Sequence, residues 1–175
     1  MHLGDYQSAA FQFAEYKDTN YPVIAIGEEL GELMEVFAIA LDVHGDIHCA
    51  LVDRVSNELG GILWNVSAIC KETGLHLAEF EPSTVSDNLS GLILELGANV
   101  GTVQGMHAKA ARKFGNAYEV DKCKLFDALG RVVDSIEAIA GEFALEIEDV
   151  AQANIDLLAQ RKAAGTISAV EKRDE

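Results

Sequence analysis

The sequence predicts an all-α protein, and three features of the printed chain indicate it. The hydrophobic share is 49% over 175 residues, which is enough to bury a core as one domain. Prolines number only 2, Pro22 and Pro82, and both stand where a helix could begin, since the first helical turn does not need their missing N–H. The third feature is a pair of similar segments, each with the pattern of a helical hairpin. We therefore expect a helical bundle built from two related hairpins.

Turn and cap residues set the boundaries of the expected helices. The turn KDTNYP ends the first helix, and Pro22 begins the second. The polar stretch DVHGDIH separates the second helix from the third, which ends at Gly74 as a C-cap. A connector with a short helical turn then leads to a fourth helix that begins at Ser83 or Thr84, and the loop FGNAYEVD follows it. We expect helices at about 5–16, 22–42, 51–72, 84–113, 122–143 and 147–163.

An internal repeat organises these helices. The chain from Leu59 aligns with the chain from Leu129 without a gap. The matched pairs include Leu59/Leu129, Gly60/Gly130, Ile69/Ile139, Glu72/Glu142 and Leu75/Leu145, and further upstream Glu29/Glu95 and Gly31/Gly97. Such a duplication is typical of a two-fold dimer interface that has become intramolecular. We expect a single domain at 1–165, with repeats at about 20–80 and 84–163 and a frayed tail at 166–175.

Charge and cysteine content limit the partners. The formal net charge is -16, which would repel polymeric nucleic acid and anionic membranes, so neither is expected as a partner. A small phosphorylated ligand stays possible if a divalent cation bridges the charges. The three cysteines, Cys49, Cys70 and Cys123, indicate neither a disulfide framework nor a zinc knuckle. With no leader-like start and no apolar run of about 18 residues, we expect a cytoplasmic protein.

The second helix carries an unusual set of carboxylates, in the segment AIGEELGELMEVFAIALD. On a helical wheel Glu28, Glu32 and Glu35 share a narrow arc, and Glu29 lies beside it. One heptad later Val36 follows Glu29, so the acidic face continues as an apolar one. Partly buried carboxylates would need neutralisation, and an all-oxygen ligand set favours Mg²⁺, with Mn²⁺ as the other possibility.

Two alternatives need no metal, because acidic residues also favour the first turn of a helix and charged stripes are common on solvated faces. The third helix supports the metal hypothesis. Its Glu58 is flanked on the same face by apolar residues, namely Leu51, Val55, Ile62 and Ile69. Two acidic helices that face one another are a recurrent way to build a metal site inside a bundle.

The segments DYQSAAFQFAEY, YPVIAIGEELGELMEV, NELGGILWNVSAICKETGLHLAEF and VAQANIDLLAQRKAAGTI resemble, in that order, the motifs of the MazG-like all-α nucleoside triphosphate pyrophosphohydrolases. The similarity covers most of the chain, but residues 81–124 match only through the internal repeat. The resemblance implies a Mg²⁺-dependent enzyme that cleaves a nucleotide to its monophosphate and pyrophosphate, and a homodimer is expected. It assigns metal binding and catalysis to Glu28, Glu29, Glu32 and Glu58. It assigns nucleotide contacts to Asn154 and Arg161. Asn88 is a further candidate for such a contact, as the counterpart of Asn154 in the other repeat.

The chain also departs from that pattern. Gly61 stands where the family motif ExxD has its aspartate, and Leu157 replaces an expected lysine. Asp127 or Glu35 are candidates for the missing ligand, and restoring the acid by Gly61→Asp would be expected to cost little stability. The second repeat has lost most of the motif, since Ala98, Ala128 and Arg131 align with Glu32, Glu58 and Gly61. A non-catalytic nucleotide-binding protein is therefore the alternative function, and a scaffold without a ligand is a third.

A basic group stands out in this acidic chain. Lys109, Arg112 and Lys113 lie within about one turn of the fourth helix, and they are candidates for binding the phosphates. The alternative is a solvated helix end favoured by the helix dipole. His44 and His48 invite a metal hypothesis too, but Gly45 between them favours a loop.

Overall fold

The computed structural model describes residues 1–42, 48–80 and 88–167, and all regular structure in these ranges is helical. The expected all-α class is therefore confirmed. The helices are α1 (Leu3–Ala10), α2 (Tyr21–Asp42), α3 (His48–Thr73), α4 (Leu89–Phe114), α5 (Lys122–Glu142) and α6 (Ile147–Ala163), with short 3₁₀ turns at Phe11–Phe13 and Leu77–Glu79. Within the described ranges, none of the helices has the length and apolar composition of a membrane span.

The core lies between four long helices. α2 packs on α3 and α4 packs on α5, while α2 also contacts α4 and α3 also contacts α5. Leu33, Leu59, Leu96 and Leu129, one from each helix, are fully buried. Burying such a side chain contributes roughly 1.5–3 kcal/mol. The helices α1 and α6 cover the outside of α3, so α3 is packed on several sides and holds its side chains in fixed positions.

The first helix ends earlier than the sequence predicts. We expected a helix to about residue 16, but α1 ends at Ala10 and a 3₁₀ turn follows. The indole Nε1 of Trp64 donates to the Ala10 carbonyl at 3.3 Å, which is the acceptor that Ala14 would use in a continued α-helix. The Ala14 N–H bonds Phe11 O at 3.1 Å instead. The Trp64 indole thus satisfies a carbonyl that the end of the helix leaves without its helical partner.

Corresponding positions of the two repeats end their helices in the same way. Gly74 has φ +73° after α3, and Ala144 has φ 57° after α5. Behind them, Leu75 N donates to Cys70 O at 2.8 Å and Leu145 N donates to Ala140 O at 3.0 Å. These positions are related by the same offset that aligns Leu59 with Leu129. The expected C-cap at Gly74 is confirmed, and the matching geometry agrees with the alignment of the repeats.

Two connections of the chain contain predicted features that lie outside the described residues. They are the loop with His44 and the proposed helix start at Ser83 or Thr84. The fourth helix begins at Leu89, and Asn88 is its N-cap. The Asn88 Oδ1 accepts a hydrogen bond from Gly91 N at 2.8 Å, which satisfies one of the free donors at the helix start.

Candidate functional site

An acidic cluster lies where α2 faces α3. Glu29, Glu32 and Glu58 each offer a carboxylate oxygen, and these oxygens lie within 4.8 Å of one another. All three side chains are partly buried. The helices run antiparallel here, since Glu29 contacts Gly61 and Glu32 is hydrogen-bonded to Glu58. The hydrophobic neighbours predicted for Glu58, including Val55 and Ile62, are fully buried, so the cluster borders the core.

Burial and mutual repulsion change the acidity of the cluster. Burial, and then the negative charges of Glu32, Glu58 and Glu28, raise the pKa of Glu29 to about 7, while Arg161 opposes the shift. The pKa of Glu58 is also raised, chiefly by burial and then by its interaction with Glu32; Arg54 and Arg161 act in the opposite direction. A hydrogen bond between two carboxyl groups requires a proton on one of them. The surroundings of the cluster therefore favour the protonated forms of Glu29 and Glu58 unless a cation replaces the protons.

Gly61 makes room for the carboxylate of Glu29. A Cβ atom at Gly61 would lie 2.1 Å from Oε2 of Glu29 and 2.5 Å from its Cδ, which is far inside any real contact. The carboxyl group of Glu29 thus occupies the space into which an aspartate at position 61 would project. An aspartate at position 61 and Glu29 in its observed position would therefore compete for the same space.

Asn65 is a buried polar residue of α3 that the sequence reasoning missed. It is only 1% exposed, and its Nδ2 donates to the carbonyl of Gly61 at 3.0 Å. Its Oδ1 is buried and has no hydrogen-bond partner in the described part of the chain. Asn65 follows Glu58 by one heptad, so both lie on the same face of α3. The signal available in the sequence was a polar residue one heptad after Glu58, among apolar neighbours.

The other acidic candidates lie outside the cluster. Glu28 and Glu35 are exposed on α2, although the charge of Glu28 still acts on Glu29. Asp127 is exposed on α5. Neither Glu35 nor Asp127 belongs to the group of close carboxylates found among the described residues. Toward its C-terminus, the face of α2 that carries the glutamates continues with apolar residues. Of these, Val36 is buried, whereas Ile39 is 47% exposed.

The two predicted nucleotide contacts on α6 differ in their surroundings. Asn154 is buried, its Oδ1 accepts a hydrogen bond from Tyr6 Oη at 2.8 Å, and its Cβ lies 3.0 Å from the position of a Cβ at Gly60. Asn154 therefore joins α1, α3 and α6. Arg161 is exposed near the end of α6, and its positive charge acts on both Glu29 and Glu58. Of the two predicted nucleotide contacts, Arg161 is the one whose charge acts on the cluster.

The remaining candidates lie on α4. Asn88 caps the helix, as described above. Lys109, Arg112 and Lys113 are exposed in its last turns. The cations whose charges act on Glu29 and Glu58 are on other helices, α3 and α6. The cations that act on the acidic cluster therefore do not include the basic group of α4.

The second repeat has no equivalent cluster in the described residues. The positions that align with Glu32 and Glu58 are Ala98, which is exposed, and Ala128, which is buried. Ser135, which aligns with Asn65, donates to the carbonyl of Arg131 at 2.9 Å. In both halves, the side chain at this position donates to the backbone carbonyl four residues earlier. The converging carboxylates belong to the first half.

The raised pKa of Glu29 predicts how stability depends on pH. An unfolded glutamate has a pKa near 4.5, so the folded state favours the protonated form. Its stabilising effect is complete below pH 4.5 and is lost as pH rises toward about 7, at a cost of at most about 3 kcal/mol. We expect Glu29→Gln to be more stable than wild type at pH 8 in EDTA, with the difference vanishing near pH 4, as measured by urea unfolding.

Glu35→Gln is the matched control, because it removes an exposed charge from the same helix. If both variants change the pH profile equally, general charge repulsion rather than the environment of Glu29 explains the effect.

Comparisons with known protein families, with curated proteins and with solved structures find no match to this chain.

Proposed function

We propose that this protein is a Mg²⁺-dependent nucleoside triphosphate pyrophosphohydrolase of the MazG-like all-α type. The observation that carries the proposal is the convergence of Glu29, Glu32 and Glu58, three of the four residues that the sequence motifs assign to the metal. These residues come from two helices, and Glu58 is distant in sequence from the other two. The packing of α2 on α3 and of α4 on α5 further supports a bundle of two hairpins.

The ligand chemistry of the cluster fits a hard divalent cation. All donors are carboxylate oxygens, which suit Mg²⁺ and Mn²⁺. Ligand oxygens around an octahedral Mg²⁺ are at most about 4.2 Å apart, so oxygens within 4.8 Å need only small side-chain movements. Glu29, Glu32 and Glu58 would hold the ion, with Glu28 at the exposed rim. The bound cation would supply charge neutralisation for the phosphates and acidify the attacking water.

The chain's own residues have separable roles in this reaction. Water attacks the α-phosphorus, the bond from that phosphorus to the bridging oxygen breaks, and pyrophosphate leaves. Glu29, a partly buried member of the cluster, is the carboxylate to which we assign acceptance of the proton from the water. Arg161, whose charge reaches the cluster, is placed to contact the phosphates.

A second function has one specific observation in its favour. Gly61 lacks the acid of the family motif, and Glu29 fills the resulting space. A cluster that has lost one carboxylate can still bind a nucleotide with its metal but hold it in a geometry unsuited to attack. This alternative is a non-catalytic nucleotide-binding protein of the same fold.

Partners follow from the same proposal. The ligand is a small nucleotide, polymeric nucleic acid is not expected at a net charge of -16, and the location is expected to be the cytoplasm. A homodimer remains part of the proposal, supported by large apolar side chains that are exposed on neighbouring helices, namely Ile24, Met34, Ile39 and Leu94.

Metal binding and hydrolysis can be tested separately. Millimolar Mg²⁺ or Mn²⁺ is expected to raise the melting temperature of wild type, because cations bind only the folded cluster, and Glu32→Gln should abolish the rise. Pyrophosphate release is then measured with a panel of common and modified nucleoside triphosphates.

The outcomes distinguish the two functions. A thermal shift with pyrophosphate release supports the enzyme. A thermal shift and nucleotide binding without release support the non-catalytic protein, and an unchanged melting curve in both metals excludes a preformed metal site.

A further inference from the structure

The helices α2 and α4 form one outer layer of the bundle. The helices α1 and α6 pack on the opposite side, against α3 and α5. In the part of the chain that the structure describes, the large hydrophobic side chains that are exposed all belong to α2 and α4, namely Ile24, Met34, Ile39, Leu94 and Phe114. Exposed apolar groups gathered on one side of a protein are typical of a surface that another molecule covers.

The outward face of α4 carries a stripe of apolar and small residues. It begins at Leu94, which is 72% exposed, and continues at alternating steps of four and three residues through Ala98, Gly101, Gly105 and Ala108. These steps keep successive positions on one face of a helix. A Cβ atom at Gly101 or Gly105 would meet nothing within 4 Å. The middle of the stripe is therefore flat, and another helix can approach its backbone closely.

The two ends of this stripe are complementary in shape and charge. At one end Leu94 protrudes, and Glu95 is exposed beside it. At the other end Ala108 lines an apolar recess between α4 and α2, and Lys109 is exposed beside it. Gly101 lies midway between positions 94 and 108. A protruding residue with an acid at one end thus matches a recess with a base at the other.

A two-fold axis at Gly101 would bring these ends together in two copies of the chain. In an isologous interface every contact occurs twice, so Leu94 of each copy would pack at Ala108 of the other. Two helices related in this way are antiparallel, and the same flank of each faces its copy. Glu95 and Lys109 share one flank of α4, so they would pair across the interface. This complementarity selects a second copy as the occupant.

The face is large enough for a dimer of modest affinity. The stripe with its end residues is about 27 Å long and, with flanking side chains, about 20 Å wide. Two copies would bury on the order of 1,000 Å² in total, which is at the low end for a specific interface. The outward face of α2 contributes less, because it also carries the exposed carboxylates Glu28 and Glu35. We expect a dissociation constant in the micromolar range.

We propose that this protein forms a two-fold homodimer in which the outward faces of two α4 helices pack antiparallel about Gly101. The expectation of a homodimer rests on the proposed function, whereas the face and the register follow from α4 itself. Association needs neither Mg²⁺ nor a nucleotide. The acidic cluster lies between α2 and α3, outside the contact of the two α4 helices.

Sedimentation velocity over a series of protein concentrations in EDTA tests the dimer. We expect Gly101→Glu to weaken association at least roughly a hundredfold, because two carboxylates then meet at the axis. Gly141→Glu is the matched control, since Gly141 is exposed on α5 and a Cβ there also meets nothing within 4 Å. It adds the same charge and should leave the dissociation constant within about threefold of wild type.

An exchange of charges tests the register. Glu95→Lys and Lys109→Glu each place like charges across the interface, and each should weaken the dimer about tenfold. The double variant restores opposite charges and should return to within about threefold of wild type. Within one chain the two positions are about 21 Å apart along α4, so the recovery requires a second copy.

Three results would overturn the proposal. They are a wild type that stays monomeric at roughly 500 µM, equal weakening by the two glycine variants, and a double charge variant that does not recover. Nucleotide hydrolysis by a protein that stays monomeric would refute the interface alone. A dimer with this register that shows neither a metal-dependent thermal shift nor pyrophosphate release would refute the proposed function alone.

Discussion

Replacing Glu29 by glutamine is expected to reduce pyrophosphate release at least roughly a hundredfold, the usual loss when a general base is removed. Glutamine keeps the size of the side chain but accepts no proton from water and gives the metal a neutral oxygen. Glu29 is partly buried among the converging carboxylates, whereas Glu28 is exposed, so the loss of Glu29 is expected to have the larger effect. The measurement is turnover at saturating nucleotide and Mg²⁺.

Glu95→Gln is the matched control, because Glu95 aligns with Glu29 in the other repeat. It lies exposed on α4, and the described carboxylates that converge do not include it. We expect turnover within about twofold of wild type. Equal losses in both variants would show that the second half also takes part in the chemistry and that the chain has two active regions.

The helices were predictable because their signals are local. Proline near the start of α2, Gly74 after α3 and the polar loops place most boundaries within a few residues, and α6 matches at both ends. The end of α1 was not predictable, and the residue that bonds the Ala10 carbonyl there, Trp64, is distant in sequence. The start of α4 shows the limit of cap signals, because Ser83, Thr84 and Asn88 are all good N-cap residues by type and the sequence does not choose among them. Asn88 is the N-cap of α4.

The candidate site was predictable only in part. Helical periodicity placed Glu29 and Glu32 on one face of a helix. Because the second repeat lacks most of the carboxylates, the sequence indicated that a site would lie in the first repeat. Which carboxylates approach one another depends on how α2 and α3 are aligned, and a sequence does not display that alignment. The buried contact of Asn154 with Tyr6 likewise depends on α1 packing on α6. Asn65 was missed because a single asparagine in an apolar helix resembles an ordinary core polar residue.

Gly61→Asp is expected to make folding strongly dependent on metal. On sequence grounds alone, this change would restore a ligand at little cost. The structure changes that expectation, because a Cβ at position 61 would lie 2.1 Å from Oε2 of Glu29. The carboxylate of Glu29 must therefore move, which is sterically easy for the end of a flexible side chain, and a further negative charge then joins three partly buried ones. We expect a loss of about 1–3 kcal/mol in EDTA at pH 8.

Two alanine variants separate space from charge. Gly61→Ala displaces Glu29 without adding a carboxylate, so it should lower turnover and move the pKa of Glu29 back toward its usual value, as read from ¹³C NMR of the carboxyl group. Gly31→Ala is the helix control, since a Cβ there meets nothing within 4 Å. It should stabilise the protein by about 0.5–1 kcal/mol, the ordinary gain for replacing glycine in a helix.

Adding Mg²⁺ then decides what the missing acid means. If the cluster is a degenerate metal site, Gly61→Asp should show a larger Mg²⁺-dependent rise in melting temperature than wild type, because the added carboxylate becomes a ligand once the charge is neutralised. Turnover that appears only in this variant identifies the wild-type chain as the non-catalytic protein. The alternative outcome is turnover that is high in wild type and falls in both Gly61 variants. That result shows that Glu29, in the position that glycine permits, takes the role expected of an aspartate at position 61. If Mg²⁺ leaves the melting temperature of Gly61→Asp unchanged, position 61 does not face a metal site, and the proposed metal-dependent function loses its support at this position.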